Sequence, residues 1–157
     1  MTPGRREFIK WSGAYGIFAL ALFTGLGNAG RAFAAMVWNQ DAFAAKNVDE
    51  VVKALGGTTA AESSDISITL PEIAENGAVV PVVIESKLPN TRSISVLVEK
   101  NPSALSATFD IPQGTDPYIG TRVKVASTSK VYALVKTDSG FFVTSKEVKV
   151  TLGGCGG

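Results

Sequence analysis

Two periods of apolar residues divide this chain. Over residues 41–55, Ala44, Val48, Val51, Val52 and Leu55 recur at the spacing of one helix face, with Lys46, Asn47, Glu50 and Lys53 between them. The pattern predicts one amphipathic helix, ended by Gly56-Gly57, that covers a face or end of the domain. Trp38 and Phe43 beside it are candidate anchors for the core or for a partner. After a polar link over residues 58–65 the period becomes two. Ile66, Ile68 and Leu70 alternate with Ser67 and Thr69 until Pro71 breaks the run. A second strand is predicted over 79–84, entered through Glu75-Asn76-Gly77 and interrupted by Pro81. Ile94, Val96 and Val98 mark a third, and Leu105, Ala107 and Phe109, entered through Asn101-Pro102, a fourth. Val123 and Val125 mark a fifth that starts at Tyr118 or Ile119, and residues 131–136 a sixth. Asp138-Ser139-Gly140 predicts a tight turn into 141–144, and Val148 and Val150 close the fold.

Short strands at near-regular spacing, separated by turn residues, predict a mainly β chain: an antiparallel immunoglobulin-like β-sandwich of about seven strands. One N-terminal amphipathic helix and a flexible C-terminal tail complete it. Neither βα alternation nor a phosphate-binding glycine loop is present, and no internal repeat or second domain is evident.

Ahead of the helix, the chain opens with Arg5-Arg6-Glu7-Phe8-Ile9-Lys10 and an apolar run over residues 11–29, followed by Ala32-Phe33-Ala34. This is the pattern of a twin-arginine export signal, with Gly4 where Ser or Thr is usual. A membrane anchor would need about 20 strongly apolar residues. Gly13, Gly16, Gly25, Gly27, Asn28 and Gly30 weaken the segment instead. The expected organisation is therefore a signal peptide over 1–34, a carrier domain over 35–152 and a C-terminal arm over 153–157, in a periplasmic protein with no membrane attachment once the signal is removed.

Composition narrows the chemistry. The full chain carries 15 Lys and Arg against 14 Asp and Glu. Arg5, Arg6, Lys10, Arg31 and Glu7 leave with the signal, so the mature part has 11 against 13. Nucleic acid is not expected as a partner, since phosphate binding needs a concentrated basic surface. Lys130, Lys136, Lys146, Lys149 and Arg122 gather in the C-terminal third, most of them as solvated strand faces, with some available to neutralise an anionic group at the tail. Histidine is absent, and with it the commonest general base and the commonest metal ligand. No cofactor is expected.

The chain has a single cysteine, Cys155, set between Gly153-Gly154 and Gly156-Gly157. An exported chain with one cysteine has no internal disulfide to form, so the thiol either pairs with another molecule or stays reactive. The four glycines remove neighbouring side chains and leave the backbone permissive. Five or six residues at about 3.3 Å each carry the thiol roughly 15 to 20 Å from the last strand, far enough to enter a partner's pocket. No base accompanies it in sequence, so its activation comes from other proteins. These residues describe a covalent carrier arm; an intermolecular disulfide staple and a thiol catalyst are the other readings. A staple gains from a constrained position, and a redox catalyst usually has a second cysteine.

Several segments resemble the SoxY family of sulfur-carrying subunits. They are Val148-Lys149-Val150-Thr151-Leu152-Gly153-Gly154-Cys155-Gly156, Leu70-Pro71-Glu72-Ile73-Ala74-Glu75-Asn76-Gly77 with Val80-Pro81-Val82, Lys100-Asn101-Pro102 and Thr121-Arg122-Val123-Lys124. The resemblance implies a non-catalytic carrier in thiosulfate oxidation, with sulfur intermediates attached covalently to Cys155 as S-thiosulfonate and persulfide. It also implies partners: a SoxZ-like β-sandwich subunit in a heterodimer, a haem c-containing coupling enzyme, a dimetal hydrolase that releases sulfate, and a molybdenum and haem sulfur dehydrogenase. The alternative function is an exported immunoglobulin-like binding or structural module that uses Cys155 for an intermolecular disulfide.

Overall fold

The computed structural model describes residues 39–151. Two short helices, α1 (Gln40–Ala44) and α2 (Val48–Ala54), precede nine strands. The strands are β1 (Ala60–Glu62), β2 (Ile66–Thr69), β3 (Ile73–Ala74), β4 (Val80–Ser86) and β5 (Thr91–Val98). They continue with β6 (Leu105–Asp110), β7 (Tyr118–Val123), β8 (Ser129–Thr137) and β9 (Gly140–Val150). One sheet runs β1-β9-β8-β5-β6, with β3 added to the end of β9; the second runs β2-β4-β7.

The two sheets enclose the main core. Val80, Val82 and Ile84 of β4 meet Ile94, Val96 and Val98 of β5, with Val131, Ala133 and Val135 of β8 and Val148 of β9. These are the alternate positions that the period of two marks. The larger sheet is also covered on its other face. Ala42, Ala45, Val51 and Val52 of the helical segment pack on Leu97, Leu105, Leu134 and Phe141. As a result β5 is buried on both sides, and its outward positions are small or apolar: Ser93, Ser95 and Leu97. The Ser95 hydroxyl lies 2.9 Å from the Thr108 hydroxyl, which satisfies it without water.

The mainly β, two-sheet class matches expectation, with three differences in detail. The helical stretch over 41–55 is two helices. Ala45 is extended (φ −61°, ψ 145°), and Asn47 starts a new helix as its N-cap. The Asn47 side chain accepts from Glu50 N at 2.9 Å and donates to the Glu50 carboxylate at 2.8 Å, a reciprocal cap that a periodic apolar face does not reveal, and the same carboxylate accepts from Lys46 N at 2.8 Å. Asn39 caps α1 by accepting from Ala42 N and donates to the Ala54 carbonyl at 2.8 Å, tying the start of α1 to the end of α2.

Among the described residues the strand count is nine, and the added strands are parallel to their neighbour. β1 and β3 both pair with β9, at Phe141–Val143 and at Lys149–Val150. β1 falls in the polar link, and a two-residue strand such as β3 has no period to detect. Finally, residues 141–144 and 148–150 belong to one eleven-residue strand. Polar Ser145, Lys146 and Glu147 break the apolar alternation but not the ladder, because β8 pairs continuously from Ser129↔Val148 to Thr137↔Gly140. At the hairpin tip Arg92 donates to both Asp138 carboxylate oxygens, at 2.7 and 2.9 Å. The bonds from Arg92 hold that carboxyl below its ordinary value, though a pair this exposed contributes little to stability.

Replacing Asn47 with Ala removes the α2 cap and is expected to destabilise the domain by about 1 kcal/mol, read by denaturant unfolding. The bond from Lys46 N, then that from the Asn47 side chain, lowers the Glu50 carboxyl below its ordinary value of 4.5. A lowered folded value means that the carboxylate's share of this cap is present above pH 4.5 and is lost as pH falls through the folded value, while the bond from Glu50 N to Asn47 stays, so the difference between Asn47→Ala and wild type is expected to narrow in acid without vanishing.

Candidate functional site

The end of β9 is held from three sides. β3 lies parallel to it, with Ile73 opposite Lys149 and Ala74 opposite Val150. Lys149 N donates to the Glu72 carbonyl at 2.9 Å, and Thr151 N to that of Ala74 at 3.2 Å. On the opposite edge, beyond the start of β8, Val150 N donates to the Thr128 hydroxyl at 3.0 Å. The third support is Gly77. A Cβ there would stand 2.5 Å from the Val125 carbonyl oxygen and 2.8 Å from Val150 Cγ1, so only glycine lets the loop close over the strand end. Val125 N returns a bond to the Gly77 carbonyl at 2.7 Å. Asn76 shapes the turn, its side chain accepting from Ala78 N at 2.9 Å.

Residues 70–79 thus form a collar around the last described residues of the chain. It follows that the Asn-Gly pair, which reads in sequence as punctuation between strands, positions the strand end. Ile73 and Val79 are exposed on the collar at 58 % and 49 %. A second clamp lies beside it. Asn101 donates to the Lys124 carbonyl at 2.7 Å and accepts from Ala126 N at 3.1 Å, while Ser129 accepts from Lys100 N at 3.1 Å. The Lys100-Asn101-Pro102 turn therefore fixes the run that carries Thr128.

Cys155, Gly153, Gly154, Gly156 and Gly157 lie outside the described residues, as do Leu152, Trp38 and the residues 1–34 over which an export signal is expected. Thr151, the last described residue, is four positions before the cysteine. The basic residues of the C-terminal third do not form one cluster. Lys149 is opposite Ile73 at the collar, and Lys130 is opposite Glu147. Lys136 stands 5.5 Å from the centre of the Phe141 ring at the far end of β9, roughly 30 Å away at the rise of a β-strand. Arg122 belongs to the other sheet, opposite Pro81. Among the described residues no group of three or more Cys, Asp or Glu is arranged to hold a metal ion.

The class defined by this arrangement is a two-sheet β-sandwich with a helical cover, whose structural effort is concentrated on fixing the end of its final strand. Comparison with known proteins agrees. The family model described as "Sulfur oxidation protein SoxY" matches residues 51–155, a span that ends on Cys155 itself. The chain belongs to the SoxY family. Among solved structures it is similar to the sulfur carrier protein SoxY from Chlorobium limicola f thiosulfatophilum, with 33 % identity and a TM-score of 0.57 over 64 % of this chain and 93 % of that one. A variant of superoxide reductase (neelaredoxin) from Ignicoccus hospitalis is 18 % identical, with a TM-score of 0.50 over 76 % of this chain and 98 % of that one, a likeness of fold alone. A search of curated proteins gave no significant match.

Gly77→Ala is expected to cost about 1 to 3 kcal/mol by overpacking. The loss should be local, with amide hydrogen exchange at Lys149 and Thr151 rising more than in the middle of β5; uniform acceleration would mean that the collar is not a separate support.

Proposed function

We propose that this protein is a periplasmic sulfur carrier that holds intermediates of thiosulfate oxidation covalently on Cys155. The observation that carries the reading is membership of the SoxY family through a match that runs from Val51 to Cys155. The fold supports it by what it does to the chain just before the cysteine. A carrier must present its load to several enzymes in turn, which calls for a fixed base and a narrow, permissive tether. β9 pinned at Lys149, Val150 and Thr151 supplies the base. Gly153, Gly154, Gly156 and Gly157 supply the tether, since residues without Cβ atoms are thin and sterically unrestricted.

Chemically, the Cys155 thiolate is the nucleophile and its partners supply everything else. A haem c-containing enzyme couples thiosulfate to the sulfur, a dimetal hydrolase releases the terminal sulfone as sulfate, and a molybdenum and haem dehydrogenase oxidises the remaining sulfane sulfur. The tether keeps the intermediate at high effective concentration between these steps. In this reading the protein is not itself an enzyme, needs no resident cofactor and works with a SoxZ-like subunit, the pair leaving the cytoplasm folded on the Arg5-Arg6 signal.

Intact mass of protein isolated from periplasm without reductant tests the reading. Reducible adducts with the mass of one sulfur atom or of a thiosulfonate group, absent from Cys155→Ser, are expected. Only unmodified monomer, or a disulfide dimer that never accepts sulfur, would favour the structural module. Because Cys155 follows the last described residue by four positions and a Ser differs from it by one atom, Cys155→Ser should unfold at the wild-type temperature.

A further inference from the structure

The turn that closes the collar carries the chain's single Asn-Gly pair, Asn76-Gly77. Asn76 is exposed and Gly77 is buried. The Asn76 side chain is folded back along the chain, its Oδ1 accepting from Ala78 N at 2.9 Å, and Val79 N donates to the Asn76 carbonyl at 3.4 Å. The side-chain bond closes a ring that contains both Asn76 Cγ and Gly77 N and folds them toward each other.

The two groups are also open to reaction. Among the described residues nothing accepts from Gly77 N–H, and nothing accepts from the Asn76 amide nitrogen, Nδ2. The asparagines of the helix caps and of the second clamp differ, because Nδ2 of Asn39, Asn47 and Asn101 donates to Ala54, Glu50 and Lys124. Gly77 has no side chain to shield its nitrogen, and the 2.7 Å bond from Val125 N to the Gly77 carbonyl holds its backbone in place. Ala78 N–H points at the oxygen on which negative charge gathers when Cγ is attacked, as an oxyanion donor does.

We propose that Asn76-Gly77 is a self-modification site, at which Gly77 N attacks Asn76 Cγ and converts the collar to an isoaspartate form. Gly77 N–H gives its proton to solvent hydroxide, the N–Cγ bond forms, the Cγ–Nδ2 bond breaks, and ammonia leaves with a proton taken from water. The succinimide ring then takes up one water. Opening at Cγ gives an ordinary aspartate at this position. Opening at the main-chain carbonyl gives isoaspartate, whose main chain runs through Cβ and Cγ and is one methylene longer.

The collar has no slack for that methylene. A Cβ on Gly77 would already lie 2.5 Å from the Val125 carbonyl oxygen and 2.8 Å from Val150 Cγ1. A longer main chain just before Gly77 displaces it, breaks the bond from Val125 N and loosens the pairing of β3 with Lys149 and Val150. The reaction therefore ages the support of β9 ahead of Cys155, whatever the cysteine carries.

The full mature protein, kept folded or unfolded in urea, is incubated in mildly alkaline buffer and followed by ion exchange and peptide mass. One added negative charge, with isoaspartate located at position 76 by fragmentation, is expected in the folded protein at least as fast as in the unfolded. In the isoaspartate form, amide exchange at Val125, Lys149 and Thr151 should rise roughly ten-fold, as for the loss of one hydrogen bond, while the middle of β5 keeps its wild-type rate. Asn76→Ser keeps a hydroxyl to accept from Ala78 N but has no carboxamide, so it should remain unconverted and protected after the same incubation. Conversion confined to the unfolded chain would overturn the proposal, since the fold would then shield the pair. Wild-type exchange at the strand end of the isoaspartate form would overturn it too, as would an equal loss of protection in incubated Asn76→Ser.

Discussion

The ladder between β8 and β9 is the contact on which the rest of this structure depends. It runs unbroken from the hairpin tip at Thr137 and Gly140 to Ser129 and Val148, and it sets the register of the strand that ends the fold. Everything packed against that strand inherits its position: β1 along its first residues, β3 along its last, Val148 in the main core and Phe141 under the helices. Because side chains alternate between faces, a slip of one residue would exchange Val148 for a lysine or a glutamate in the core. The register is therefore set by burial as much as by hydrogen bonding.

Restraint at the other end of β9 is unusual in kind. A terminal strand frays easily where its partner stops, and β8 begins opposite Val148. Here the neighbouring elements take over. The Thr128 hydroxyl replaces β8 as an acceptor, Glu72 and Ala74 supply two carbonyls on the opposite edge, and Gly77 lets the collar lie against Val150. Thr151, four residues before the glycine-bracketed Cys155, is thereby held in place. The helical layer serves a different purpose, since without it Leu97, Leu105 and Leu134 on the second face of the large sheet would face water.

Much of this architecture is legible in the order of the residues alone. Alternation identifies the strands that line the main core, because burial on one face imposes a period of two, and it fails where that cause is absent. β5 is buried on both faces, so alternation does not mark Ser93 and Ser95 as the covered positions they are. β1 and β3 exist because β9 offers them an edge, and three or two residues hold no pattern of their own. The break between α1 and α2 depends on one side chain, Asn47, whose capping role becomes visible only when the Glu50 carboxylate is seen to accept from the Asn47 side chain in return.

The sequence by itself determined the mainly β class, the helical segment ahead of it, the likeness to SoxY and the single glycine-flanked cysteine, since composition and local period are properties of neighbouring residues. Only the tertiary structure decided that Leu70 to Val79 wraps the end of β9, that Asn101 holds the run leading to Thr128, and that Lys136 is remote from Lys149 although both precede the same tail. These relations join residues distant in the chain, and the distances between them are set by register, sheet order and the close approach that Gly77 allows.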